Sequence, residues 1–177
     1  LDAAREALNG NWHKYSPVNG YADVRAAIAN KFERDNGLSF TPDQIVISTG
    51  AKQALINVIM SLVGPGDEVV IPAPFWVSYA SQVELAGGIP VIVRSTLEED
   101  WKVPVERIAA AITPKTRLLM FSSPCNPSGS VLTRAEHEAL AEVVAKHKDL
   151  YVVADEIYEH IVFDGSHFSF GSLPGMA

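Results

Sequence analysis

The chain has 177 residues, of which 47% are hydrophobic and 20% are charged, which is enough for one domain with a sizeable core. Its 14 basic and 21 acidic residues give a formal net charge of -7, which argues against a basic nucleic-acid-binding face. No apolar run approaches the ~20 residues of a membrane helix, so we expect neither a nucleic-acid nor a membrane partner.

A single cysteine, Cys125, excludes an internal disulfide framework and fits a reducing compartment, so we expect a cytoplasmic protein. Nothing in the sequence indicates a metal site. The sequence starts at Leu1 rather than at a methionine and stops at Gly175-Met176-Ala177, without an obvious terminal element. We therefore interpret it as a fragment of a longer protein.

Hydrophobic periodicity predicts helices and strands that alternate along the chain. Helices are predicted over residues 1–8, 21–35, 51–62, 75–86 and 105–111, with a last one after the capping box at 133–136. Strands are predicted over residues 45–47, 68–71, 89–93, 117–121 and 151–154. We expect Pro72 to end the second strand and Pro90 to place the third near a sheet edge or strand start. This alternation predicts an α/β fold with a mostly parallel sheet.

The last predicted strand ends in an acid. Residues 151–154 form an apolar run typical of a buried parallel strand, and Asp155 follows at its carboxyl end, where open α/β sheets bind ligands. One interpretation is that Asp155 holds the protonated ring nitrogen of a pyridine cofactor, because a nearby carboxylate stabilises that charge. The alternative is an ordinary helix N-cap.

Other chemically capable residues follow the ends of the other predicted strands, and we expect them to collect at one sheet edge. Residues 50–52 begin a helix, whose free N–H groups favour an anion such as a phosphate. Trp76 can stack on a flat ring, Asn126 offers a donor and an acceptor to a ligand, and Tyr158 can donate to a phenolate oxygen. Each has a plainer alternative: a tight turn, a core tryptophan, an Asn-Pro turn and a half-buried tyrosine.

Six short motifs occur in order along the chain. They are Tyr15-Ser16-Pro17-Val18-Asn19-Gly20, Ser48-Thr49-Gly50-Ala51-Lys52-Gln53-Ala54-Leu55, Gly64-Pro65-Gly66-Asp67-Glu68-Val69, Pro72-Ala73-Pro74-Phe75-Trp76-Val77-Ser78-Tyr79, Asn126-Pro127-Ser128-Gly129 and Asp155-Glu156-Ile157-Tyr158. As a set, over about Trp12 to Gly165, they closely resemble the class I/II aminotransferases of the fold-type I pyridoxal phosphate family. The bacterial aspartate-type enzymes are the most similar.

This resemblance implies a fold, a cofactor and a reaction. The fold is a three-layer, mostly parallel sheet with helices on both faces. Residues 1–20 correspond to a lead-in helix and dimer-interface loop, and residues 21–177 to the cofactor-binding large domain, truncated at its C-terminal side. The cofactor is pyridoxal 5'-phosphate. The implied reaction is amino-group transfer between an amino acid, aspartate-like, and a 2-oxo acid such as 2-oxoglutarate, in a homodimer.

The resemblance also assigns roles around the cofactor ring. Trp76 stacks on the pyridine and borders the substrate. Asn126 bonds the ring oxygen and the substrate carboxylate. Asp155 pairs with the ring nitrogen, and Tyr158 bonds the ring oxygen.

Around the phosphate, the resemblance implies contacts from Gly50, Ala51 and Lys52, and from Tyr15 to the phosphate of the neighbouring subunit. The family's Schiff-base lysine lies in a Ser-Lys motif further along the chain, and this sequence ends before it. We therefore assign no catalytic residue and expect this piece alone not to transaminate.

Three other functions stay open. Another fold-type I enzyme, such as a C–S lyase or decarboxylase, needs the same cofactor contacts. A sensor domain of this fold binds the cofactor without turnover. The third, a doubly wound nucleotide binder, is disfavoured because no G-x-G-x-x-G motif occurs.

Overall fold

The structure is a computed structural model that describes residues 1–10 and 12–177. The chain divides into two compact units, Leu1–Ser48 and Thr49–Ala177. Asn11, which falls in the predicted lead-in loop, lies outside the described residues.

The first unit contains two α-helices, α1 at Asp2–Asn9 and α2 at Ala22–Lys31. A π-helical turn at Phe32–Asn36 continues α2, so the predicted helix over 21–35 is present but is not α-helical throughout. A short 3-10 helix follows at Pro42–Gln44. The partly buried side chain of Arg25 connects this turn to α2, because its Nη1 donates to the carbonyl oxygen of Pro42 at 2.6 Å.

The predicted strand over residues 45–47 is wrong. Ile45 is extended, with φ -114° and ψ 129°, but these residues form no strand ladder within the described part of the chain. The backbone N–H of Ile47 donates to the carbonyl oxygen of Asn19 at 3.1 Å. Ile45 is buried all the same. A short apolar run therefore predicted burial correctly, but burial does not require a paired strand.

The second unit is built on a parallel sheet. Its strands are β1 at Glu68–Ala73, β2 at Ile89–Arg94, β3 at Thr116–Ser122 and β4 at Tyr151–Asp155, in the spatial order β2-β1-β3-β4. All three neighbouring pairs are parallel. The other four predicted strands are thus confirmed, and β2, which carries Pro90, lies at a sheet edge as expected.

Strand β1 continues through Pro72, where the sequence predicted that it would end. Pro72 lacks an N–H and is unfavourable where a strand pairs on both sides. Here β1 pairs with β3 only over residues 68–70, whereas it pairs with β2 as far as Ala73. Pro72 therefore lies beyond the two-sided part of the ladder.

Four helices pack with these strands; the first precedes β1, and the other three connect one strand to the next. They are α3 at Ala51–Leu62, α4 at Ser78–Leu85, α5 at Val105–Ala111 and α6 at Arg134–Val144. Helix α4 begins three residues later than predicted. The apolar residues at 75–77 precede it as a loop, in which Phe75 and Trp76 pack their rings against Tyr79.

Alternating strand residues face two separate hydrophobic cores. Leu118 and Met120 of β3 pack in one core with buried residues of α3 and α4. Leu119 and Phe121 pack in the other core with buried residues of α5 and α6. The sheet is therefore covered by helices on both faces, and the predicted three-layer α/β fold is confirmed. Among the described residues, no helix combines the length and the hydropathy that crossing a membrane requires.

The capping box predicted before α6 is formed. The Thr133 side chain accepts from the backbone N–H of Glu136, and the Glu136 carboxylate accepts from the backbone N–H of Thr133 at 2.6 Å. We expect Thr133→Ala to lower the free energy of unfolding by about 1 kcal/mol, because the backbone N–H of Glu136 loses its side-chain acceptor. Denaturant titration measures this loss. The control is Ser61→Ala at an exposed position of α3, where we expect a change within about 0.5 kcal/mol.

Candidate functional site

A cavity of about 270 Å³ lies within the second unit, at the carboxyl ends of β3 and β4. Every site residue predicted within this unit lines it: Gly50, Ala51, Lys52, Trp76, Asn126, Asp155 and Tyr158. Tyr79, Ser122 and Ile157, which sequence reasoning did not select, complete the lining. The structure thus brings together the start of α3 and three separate segments that follow strands.

One end of the cavity is the start of α3. Gly50 precedes the helix with φ 80° and ψ 164°, a backbone conformation that is essentially restricted to glycine. A Cβ atom built on Gly50 would contact nothing within 4 Å, so the conformation, and not the space, requires glycine here. The first N–H groups of α3 have no acceptor within the helix and are available to an anion.

The turn before α3 is held by bonds of its own. The backbone N–H of Thr49 donates to the side-chain oxygen Oε1 of Gln53 at 2.5 Å. The carbonyl oxygen of Gly50 accepts from the N–H groups of Gln53 and Ala54. The start of α3 is therefore shaped by the chain itself.

Lys52 and Trp76 lie together at the side of the cavity. The Lys52 ammonium nitrogen is 4.8 Å from the centroid of the Trp76 ring, a cation–π distance. The Trp76 ring in turn packs edge-on against Tyr79, with 5.9 Å between centroids. Trp76 is thus partly in the core, as the plainer interpretation had it, and also lines the cavity.

Asn126 and Tyr158 meet across the cavity. The side-chain Nδ2 of Asn126 donates to Tyr158 Oη at 3.3 Å, although the two residues belong to separate loops. The Asn126 loop follows β3 and is closed by a bond from the Cys125 N–H to the Ser130 carbonyl oxygen at 2.9 Å. An amide and a phenol therefore face the same space and can both bind one oxygen atom of a ligand.

Asp155 is the last residue of β4. It is not a helix N-cap, because the residues after it form hydrogen-bonded turns in place of a helix. Its Oδ1 accepts from the backbone N–H of Ile157 at 3.2 Å, and its Oδ2 accepts from Tyr79 Oη at 2.6 Å. Both bonds fix the direction of the carboxylate at the cavity wall.

Tyr79 lines the cavity, but no feature of the sequence predicted a role for it in the site. It has no solvent exposure, and its ring stacks on Phe75 with 6.3 Å between centroids. Burial, followed by the hydrogen bond to the Asp155 carboxylate, raises the pKa of the Tyr79 phenol well above its usual value. Tyr79 therefore stays a neutral hydrogen-bond donor. A tyrosine near the start of an amphipathic helix looks like a core residue, and no local signal pairs it with an acid 76 positions away.

Tyr15 belongs to the first unit and is fully exposed there. Trp12, in the same loop, packs edge-on against Tyr21 at 5.4 Å between centroids. The predicted contact of Tyr15 with a neighbouring subunit stays a prediction.

Comparisons with known proteins agree with the geometry. The family model for aminotransferase class I and II matches residues 1–175. An aspartate/prephenate aminotransferase from Cereibacter sphaeroides is 47% identical over 167 residues, which cover 94% of this chain and 42% of that relative.

Two solved structures are similar throughout the chain. The aspartate aminotransferase of Thermus thermophilus with maleate has a TM-score of 0.91 at 46% identity, over 97% of this chain and 44% of that one. An aromatic aminotransferase from Pyrococcus horikoshii has a TM-score of 0.93 at 41% identity, over 99% of this chain and 47% of that one. The chain thus spans less than half the length of each of these relatives.

Because Tyr79 is buried, we expect the free energy of unfolding to fall as the pH rises above the ordinary pKa of tyrosine. An unfolded tyrosine ionises near pH ~10, while Tyr79 in the folded chain stays protonated because its pKa is raised. Above that pH the unfolded state binds fewer protons, so stability falls, by up to about 1.4 kcal/mol per pH unit. We expect Tyr79→Phe to remove this slope in denaturant titrations between pH 9 and 11. Tyr151→Phe, at a half-exposed position, should retain it.

Proposed function

This chain belongs to the class I and II aminotransferase family, and we propose that it supplies the cofactor-binding part of an enzyme that transfers amino groups. Enzymes of this family use pyridoxal phosphate. The observation that carries the proposal is the position of Asp155. It ends strand β4, which is partly buried and not fully buried as the sequence predicted, at the wall of a cavity that Trp76 and the glycine turn before α3 also line.

The residues of the cavity fit the cofactor's functional groups. The cofactor has a phosphate, a ring oxygen and a ring nitrogen that needs to keep its proton. For the phosphate, the chain offers the N–H groups at the start of α3. The Asn126 amide and the Tyr158 hydroxyl suit the ring oxygen, since they already share a hydrogen bond. Asp155 suits the ring nitrogen, and the indole of Trp76 offers a flat apolar surface.

When bound, pyridoxal phosphate supplies an electron sink for the carbon that carries the substrate's amino group. The chain's part is to keep that sink charged and oriented. The carboxylate of Asp155 would stabilise a proton on the ring nitrogen of a bound cofactor, because an opposite charge nearby favours the charged form. Tyr79 holds that carboxylate through its 2.6 Å bond and cannot ionise itself in the neutral range.

Lys52 lines the cavity but lies over Trp76, with its ammonium 4.8 Å from the ring centroid. This position suits electrostatic attraction of a phosphate or a substrate carboxylate. We assign it that role and propose that the lysine that bonds covalently to the cofactor belongs to the remainder of the protein. The 42% coverage of the Cereibacter relative supports this.

For the substrate, we propose an acidic amino acid such as aspartate, with 2-oxoglutarate as the acceptor. The support is the basic Lys52 side chain in the cavity, the names of the bacterial relatives and the binding of maleate, a dicarboxylate, by the Thermus protein. We also propose a cytoplasmic homodimer in which Tyr15 contacts the neighbouring subunit's cofactor. The full exposure of Tyr15 supports a role outside its own unit.

The test is an assay of the full-length protein with aspartate and 2-oxoglutarate, with glutamate and oxaloacetate as the measured products. Phenylalanine in place of aspartate tests the preference for acidic substrates. We expect exchange that depends on added pyridoxal phosphate and is faster with aspartate. Release of ammonia or carbon dioxide without exchange would indicate a lyase or decarboxylase, and cofactor binding with no turnover would indicate a sensor.

Asp155→Ala tests the proposed electrostatic role. In the full-length protein we expect turnover to fall by about 100-fold or more, because the ring nitrogen loses its charge partner, while cofactor affinity changes far less. Steady-state rates and a cofactor titration measure the two effects separately. The control is Glu142→Ala at an exposed position of α6, which should leave both values unchanged. Near-normal turnover in the Asp155 variant would show that the role is wrong.

A further inference from the structure

Glu156 lies between two residues of the proposed cofactor site but faces away from the cavity. Asp155 precedes it and Tyr158 follows it two positions later, and both line the cavity, whereas Glu156 does not. The intervening Ile157 is 59% exposed, while the Glu156 side chain is only 15% exposed. A carboxylate is costly to bury unless its oxygen atoms are paired.

Both oxygen atoms of Glu156 contact one distant segment, residues 167–173. Oε1 accepts from the backbone N–H of Phe170 at 2.8 Å. Oε2 lies 3.4 Å from Nε2 of His167, whose side chain is 8% exposed. One side chain thus connects the turn after β4 to a segment more than ten positions further along the chain.

That segment is a fixed part of the second unit. Phe170 is 2% exposed and packs edge-on against Phe121 of β3, with 5.6 Å between centroids. Leu173, 7% exposed, belongs to the same core. Glu156 therefore attaches the turn to a segment that packs into the hydrophobic core against β3.

The surroundings of Glu156 leave few groups to balance its charge. His137 of α6 is fully buried beside Phe170, at 5.7 Å between ring centroids. Burial is the main cause that lowers the pKa of His137 below its usual value, so this imidazole stays neutral. The Phe170 N–H is then the group that donates to the carboxylate, and the His167 ring lies beside it.

We infer that Glu156 is a positioning residue. Its carboxylate fastens the turn after β4 to residues 167–173, and it thereby sets the directions of Asp155 and Tyr158 in the cavity. This inference rests on the proposed function, since Asp155 and Tyr158 are its cofactor contacts. A displacement of reacting groups by about 1 Å is enough to reduce function strongly, so the fastening has a functional consequence.

The test uses full-length protein with three changes at position 156. Glu156→Ala removes both contacts. Glu156→Asp keeps the charge but withdraws it by one methylene. Glu156→Gln loses the charge but keeps the side-chain length and an oxygen that can accept from Phe170. The matched control is Glu142→Gln on the exposed part of α6.

Two measurements separate positioning from general stability. The first is hydrogen exchange of the Phe170 amide in cofactor-free protein. We expect it to accelerate about tenfold in the Ala and Asp variants, relative to core amides of β3, and not in the Gln variant. The second is the pyridoxal phosphate dissociation constant, which we expect to rise about tenfold or more in the Ala and Asp variants and less than threefold in the Gln variant.

Unchanged Phe170 exchange in folded Asp and Ala variants overturns the inference, as does a Gln variant that is as impaired as the Ala variant. If the Ala variant does not fold, the Asp and Gln variants alone decide the question, since they separate reach from charge. Failure of the proposed function looks different. In that case the wild-type protein does not bind pyridoxal phosphate, or Asp155→Ala leaves turnover intact, whatever the Phe170 amide does.

Discussion

Helices cover both faces of the sheet in the second unit, so burying a polar side chain within the sheet is energetically unfavourable. Polar side chains that need solvent or a ligand therefore lie at the ends of the strands. Ser122 of β3 and Asp155 of β4 are paired in register at that limit, and both line the cavity. The position of the site therefore follows from the burial of the strands. Within it, the Tyr79–Asp155 hydrogen bond is the contact on which the remaining chemistry depends, since it fixes the one carboxylate.

Strand burial also explains which parts of the molecule could be predicted from the sequence. The runs that became β1, β3 and β4 are dense in β-branched or apolar residues and are bounded by turns, so their existence was clear. The cap of α6 has a local signature in Thr133 and Glu136, and it is formed. Residues 45–47 have the same apolar character but no strand partner, and periodicity cannot supply information about pairing.

The site was predictable to the extent that it follows strand ends. Trp76, Asn126 and Asp155 were placed in one pocket because each follows a predicted strand, and the structure brings them together. Gly50 lies there too, although the strand expected before it does not form. Tyr79 was missed because its role depends on a contact across 76 positions. Its spacing in α4 matches that of any buried aromatic residue. Side chains that act through a second residue leave no pattern in the local sequence, and only three-dimensional contacts reveal them.

The turn at Gly50 has a thermodynamic consequence. Its glycine-only backbone angles and the Gln53 side chain that accepts from Thr49 exist in the ligand-free chain. Because the turn before α3 already has its binding conformation, it loses little conformational freedom when an anion binds. More of the free energy of the contacts is then available as affinity. Phosphate binding at the start of α3 should therefore cost little conformational entropy. The turn does not have to fold around the ligand.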